Sequence, residues 1–110
     1  MQDQPVSAVK NISTQSANGR APVVTVLTPA YNRASGLLAL WESLCAQTSK
    51  RFSWLIIDDG STDDTESAVC GFIEKSEFGI EYIKKENGGK HTALNLGISR
   101  IETPLTFIVL

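Results

Sequence analysis

A chain of 110 residues with 42% hydrophobic side chains suffices for one small domain with a single core. Its formal net charge of −2 offers no bulk attraction toward a polyanion, which excludes nucleic acid and an anionic membrane as partners recruited by charge alone. No apolar run approaches the roughly 18 residues of a membrane-spanning helix, and the N-terminus lacks a charged start followed by an apolar block, so neither a membrane segment nor a secretory signal is expected. The cytoplasm, including the cytoplasmic face of the membrane, is the expected location.

Residues 1–21 are polar, rich in Ser, Gln and Asn and without periodicity, and are expected to form a disordered leader. The folded part is expected over residues 22–110. VVTVLTP, residues 23–29, is short and β-branched and reads as a strand. After AYNR, the residues Leu37, Leu38, Trp41, Leu44 and Cys45 recur at spacings of three and four, predicting a helix with Ser35 as its N-cap. FSWLIID, residues 52–58, is almost continuously apolar, as suits a strand covered by helices on both faces. Ser61, Thr62 and Asp63 are alternative caps for a second helix to about Lys75, with Ala68, Val69, Phe72 and Ile73 facing the core. IEYIKK alternates and suits a strand nearer an edge, ENGGK a turn, HTALNLGISRI a third helix and LTFIVL a fourth strand. Strands alternating with helices predict βαβ units: an α/β, Rossmann-like fold with a mostly parallel sheet. Trp41 and Trp54 fall on core positions. Cys45 and Cys70, with no CxxC spacing and no histidine nearby, are expected to be buried free thiols.

In such sheets ligands bind beyond the carboxyl ends of the strands, near the point where strand order reverses. The loops leaving those ends read TPAYNR, DDGSTDD and ENGGKH. Tyr31 offers a ring face for a base, Asp59 an acceptor for an N–H edge such as the imide of uracil, and Lys90 a charge for phosphate at the start of a helix. Plainer roles stand beside these. Asp58 is expected to cap N–H groups of its own loop, and Asp63 and Asp64 to be solvated first-turn acids. Tyr31 can simply pack over the strand end, His91 reads as a polar helix-start residue, Gly88 and Gly89 as turn formers, and Lys84 and Lys85 as a solvated strand end.

VTVLTPAYNRA, WLIIDDGSTDDT and NGGKHTALNLGI, in this order and spacing, resemble the N-terminal half of the family 2 glycosyltransferases over residues 22–110. The resemblance implies a partial GT-A fold and transfer of a sugar from a nucleotide-diphosphate donor, UDP-linked by preference. The acceptor it implies is a saccharide or lipid-linked molecule in cell-surface polysaccharide or glycoconjugate synthesis. By the same resemblance, Pro29, Ala30 and Tyr31 frame the base, Asp59 contacts uracil, and Lys90 lies near the diphosphate. Members of the family carry an acidic D-x-D motif directly after the fourth strand, which binds a divalent cation, manganese or magnesium. The sequence stops at Leu110, before that position, so it is expected to be a fragment without metal ligands or catalytic base and, alone, without activity. Ala34 stands where several members have an acid. A noncatalytic nucleotide-binding module is the alternative reading, as is another Rossmann-like nucleotide enzyme; hydride transfer on a dinucleotide would need G-x-G-x-x-G after the first strand, and TPAYNR lacks it.

Overall fold

The computed structural model describes residues 11–13 and 21–109. Its elements in chain order are β1 (Asn11–Ser13), β2 (Val24–Ala30), α1 (Ala34–Cys45), β3 (Phe52–Asp58), α2 (Thr65–Lys75), β4 (Gly79–Lys84), α3 (Lys90–Arg100) and β5 (Leu105–Ile108). The sheet order is β1-β4-β3-β2-β5. The pairs among β2, β3, β4 and β5 are parallel, and β1 runs antiparallel along the outer edge of β4, with Ile12 opposite Tyr82. The leader expected over residues 1–21 mostly lies outside the described residues. Its Asn11–Ser13 part, however, contributes a strand, so β4 is flanked on both sides where an edge position was expected.

Alternation along the strands divides the core into two layers, because successive side chains leave opposite faces of a sheet. Val26, Trp54, Ile56, Ile80 and Tyr82 pack with Leu37 and Leu44 of α1 and Val69 and Phe72 of α2. Leu27, Leu55, Ile57 and Ile83 pack on the other face with Ala93 of α3. The first layer is aromatic: the Trp41 ring stacks on Phe72 at 5.0 Å, and Phe72 lies 6.1 Å from Trp54. Trp54 is fully buried, and its indole N–H donates to Thr28 Oγ1 at 3.0 Å, so its one polar atom is satisfied inside the core. Trp41 is only half-buried and donates to Ser76 Oγ at 2.8 Å. On the other face α3 comes so close to β2 that a Cβ on Gly97 would lie 2.5 Å from Leu27 Cδ1.

Several local expectations shift. The α1 stripe is shifted from its expected positions: Leu37 and Leu44 are buried and Leu40 and Trp41 pack against the same layer, whereas Leu38 and Cys45 lie to the side of this i, i+3, i+4, i+7 face and meet solvent. Cys70 is partly exposed, and both thiols are free. The N-cap of α1 is Arg33, without a side-chain cap bond, which leaves Ser35 inside the first turn. For α2 the N-cap is Asp64, while Asp63 Oδ1 accepts the Thr65 N–H at 3.0 Å and so serves the helix start from one residue further out.

Pro29 sits inside β2, a central strand, and its register explains why. The carbonyls of Val23 and Leu27 accept from Leu105 and Val109 on the β5 side, whereas that of Ala30 accepts from Asp59 on the β3 side. By this alternation the missing N–H of Pro29 faces the β5 side, beyond the last paired residues Leu27 and Ile108. No described ladder bond is lost.

Candidate functional site

The carboxyl ends of β2, β3 and β4 carry three loops that hold one another through side-chain-to-backbone bonds. Asn32, with φ of 51°, donates its backbone N–H to Ser61 Oγ at 2.8 Å and accepts with Oδ1 from the N–H groups of Thr62 and Asp63 at 2.8 and 3.2 Å. Asparagine tolerates this left-handed backbone better than most residues and uses its amide to bind nearby N–H groups. Asn87 donates to the carbonyl of Asp59 at 2.9 Å, joining the third loop to the second. Between them Gly60 has φ of 82°, and a Cβ there would lie 2.9 Å from the backbone nitrogen of Asn87. The turn therefore requires glycine for both its backbone angle and its clearance.

The two adjacent acids at the end of β3 are separated in role. Asp58 is fully buried; one oxygen accepts the Ser61 N–H at 2.8 Å and the other accepts the Tyr82 hydroxyl. Burial, with the Asp58 carboxylate beside it, pushes the Tyr82 hydroxyl far above the ordinary phenol range, so it remains a proton donor. The capping role expected for Asp58 is thus present in the structure. Asp59 turns the other way. Its Oδ1 accepts from Lys85 Nζ at 2.8 Å and the Gly88 N–H at 2.9 Å, and its Oδ2 from the Gly89 N–H at 2.8 Å. Burial opposes ionisation, yet the bonds from Lys85, Gly88 and Gly89 and the lysine charge outweigh it and hold the carboxyl below the usual range.

Lys85 departs most from expectation. Read as a solvated strand end, it is 1% exposed, and its ammonium reaches Asp59 Oδ1, the Glu86 carbonyl and Thr92 Oγ1 at 2.8, 2.6 and 2.8 Å. A buried ammonium needs both a counter-charge and acceptors, and these three groups supply them. Lys84 is half-buried, with Glu66 at 3.7 Å.

Of the residues expected to frame a ligand, Pro29 and Ala30 are buried, and the Ala30 carbonyl accepts the Asp59 N–H at 2.8 Å. A cavity of about 70 Å³ lies beside them, lined also by Arg33, Leu37 and Val109. Tyr31 is 48% exposed at the mouth of the same loop. Lys90 is exposed at the first position of α3, one residue past the Gly89 that is bonded to Asp59. The structure thus brings Tyr31, Asp59 and Lys90 onto one cluster of three loops; of the residues that tie the cluster together, Lys85 was read from sequence only as a solvated strand end, and Asn32, Asn87 and Thr92 were given no role. Two larger concavities lie elsewhere. One of about 380 Å³ is lined by Thr25, Ser53, Glu81 and Arg100, and an apolar one of about 390 Å³ by Val24, Leu40, Phe52 and Phe107. Among the described residues no group of three or more His, Cys, Asp or Glu could hold a metal ion, and no helix is long and apolar enough to cross a membrane.

A mostly parallel sheet in this order, with polar loops at the carboxyl ends of β2, β3 and β4, places the chain among the open α/β folds. Residues 25–110 match the profile of glycosyl transferase family 2, and the chain belongs to that family. It is 37% identical over 82 residues to an uncharacterized glycosyltransferase of Rickettsia prowazekii, covering 74% of this chain and 24% of that protein. It is 29% identical over 82 residues to the teichoic acid poly(glycerol phosphate) polymerase of Staphylococcus epidermidis, covering 74% of this chain and 11% of the polymerase. The solved mannosyltransferase PcManGT of Pyrobaculum calidifontis, in complex with GDP-Man and Mn2+, shares the GT-A fold, with a TM-score of 0.62, 23% identity, and coverage of 90% of this chain and 28% of that one. The chain spans about a quarter or less of the length of these relatives.

Proposed function

We propose that the three-loop cluster is the donor site of an enzyme that transfers a sugar from a nucleotide diphosphate, UDP-linked, to a saccharide or lipid-linked acceptor of the cell surface. The observation that carries this reading is the state of Asp59: a buried, ionised acceptor at the carboxyl end of a central strand, on the same loop cluster as an exposed tyrosine and an exposed lysine at a helix start. Tyr31 would stack on the base, Asp59 accept its ring N–H, and Lys90 with the α3 terminus oppose the phosphate charge.

The occupancy of Asp59 favours uracil over guanine. A carboxylate has about four acceptor positions. Oδ1 already receives Lys85 and Gly88, and Oδ2 receives Gly89, which leaves one position on Oδ2. Guanine presents a ring N–H and an amino N–H side by side and needs both oxygens; uracil presents a single imide N–H and needs one. The cell-surface acceptor draws support from the teichoic acid polymerase among the relatives.

A manganese or magnesium ion, as in the solved mannosyltransferase, belongs to this proposal only through ligands other than the described residues, which do not assemble a site for it. Titrating the full chain with UDP, GDP, CDP and ADP by calorimetry tests the proposal. UDP should bind most tightly and lose affinity in Asp59→Ala; equal binding of CDP, whose ring N3 is an acceptor, would overturn the base assignment.

A further inference from the structure

The bonds around Asp59 and Lys85 form a closed circuit. Lys85 Nζ donates to Asp59 Oδ1 and to Thr92 Oγ1, each at 2.8 Å, and the Thr92 hydroxyl donates to the Gly89 carbonyl at 2.7 Å. The Gly89 N–H closes the ring on Asp59 Oδ2 at 2.8 Å. Four segments therefore meet on one ammonium and one carboxylate: the end of β3, the end of β4, the glycine turn and the first turn of α3. A buried ion pair adds little stability over an apolar pair of the same volume, so stability alone gives weak reason for a charge at residue 85. A single ammonium can reach three acceptors at once, and no apolar side chain can.

We propose that Lys85 is a positioning residue that fixes the separation between the Asp59 carboxylate and the start of α3, so that one ligand reaches the base acceptor and Lys90 together. This rests on the donor-site reading above and adds to it a residue that touches no part of the ligand. With the circuit intact, the diphosphate meets a helix terminus already in place; with Lys85 or Thr92 removed, the Gly88 and Gly89 N–H groups still hold Asp59, but the first turn of α3 loses its bond through Thr92, so the Asp59–Lys90 spacing is held less tightly and part of the binding energy goes into restoring it.

The ratio of UDP affinity to uridine affinity measures this. Uridine engages only the base side, whereas UDP engages both, so loss of registration lowers the ratio, while a purely structural role would lower both affinities equally or neither. Lys85→Met and Thr92→Val are compared with the parent full chain by calorimetry, at low salt and at about 1 M salt, where the screening length falls to about 3 Å. The ratio should fall about tenfold in Lys85→Met and about threefold in Thr92→Val, as expected for one charged and one neutral hydrogen bond. The deficit should persist at high salt, because a deficit caused only by the lost charge would vanish there. Thr92→Val keeps the charge and the volume and decides the matter if Lys85→Met does not fold. An unchanged ratio in Thr92→Val, or a Lys85→Met deficit abolished by salt, overturns the positioning role while leaving the donor site standing. Absence of UDP and uridine binding by the parent chain overturns the donor-site reading and this inference with it.

Discussion

Replacing each of the adjacent acids Asp58 and Asp59 by alanine should have different consequences for binding, although both are buried at 0% and 5% exposure. Asp58→Ala strips the acceptor from the Ser61 N–H and the Tyr82 hydroxyl. Each group left buried without a partner costs about 1–3 kcal/mol of stability. Neither group faces the proposed ligand, so UDP affinity in the folded fraction should stay within about threefold of the parent, less than one neutral hydrogen bond. Asp59→Ala leaves Lys85 buried without its counter-charge, a loss of about 3–5 kcal/mol. It also removes the charged acceptor offered to the base, worth about 1.5–3 kcal/mol, or about a 10- to 150-fold rise in Kd. Urea unfolding gives the stability of each variant, and calorimetric titration with UDP, under conditions where circular dichroism shows the variant folded, gives the affinity. Equal losses of UDP affinity in the two variants would refute the division of labour between the acids.

The Asp59 carboxyl is held below its ordinary value in the folded state, so its stabilising contribution is complete above the unfolded carboxylate pKa of about 3.9 and disappears as pH falls through the lowered value. Asp59→Asn should flatten this acid limb in urea midpoints measured against pH; superimposable profiles would show that the Lys85 pair contributes nothing. Lys90→Ala should weaken UDP more than uridine, with a deficit that shrinks as salt rises, because the residue is exposed; equal weakening of both ligands would place Lys90 at the base. Gly60→Ala should cost at least about 1–2 kcal/mol from the left-handed backbone alone, and more from the 2.9 Å approach to Asn87 N. Thermal melts check this, and an unchanged midpoint would mean that the loop can change its path.

The strands and helices were legible because the two periodicities hold along most of the chain: β3 falls on the residues expected for it, and β2 begins one residue later. Three loop motifs carried Tyr31, Asp59 and Lys90. What could not be read was how the loops close on one another. Lys85 looks like any polar residue ending a strand, and only the register, with Asp58 opposite Lys84, places the next residue on each strand side by side. The positive φ of Asn32 is similarly invisible, since its two accepted bonds come from residues about 30 positions away. Helix caps failed for a related reason. Ser61 and Asn32 spend their polar atoms between loops, which moves the start of α2 on to Thr65.

The most direct measurement is a crystal structure of the full chain with UDP. The uracil ring should lie against Tyr31, its N3 within about 3.2 Å of Asp59 Oδ2, as a hydrogen bond requires, and the diphosphate toward Lys90 at the start of α3, with the Lys85 contacts unchanged. A uridine seated elsewhere, such as the crevice lined by Thr25, Ser53 and Arg100, or a base that meets Asp59 only after Lys85 has been displaced from it, would contradict the account.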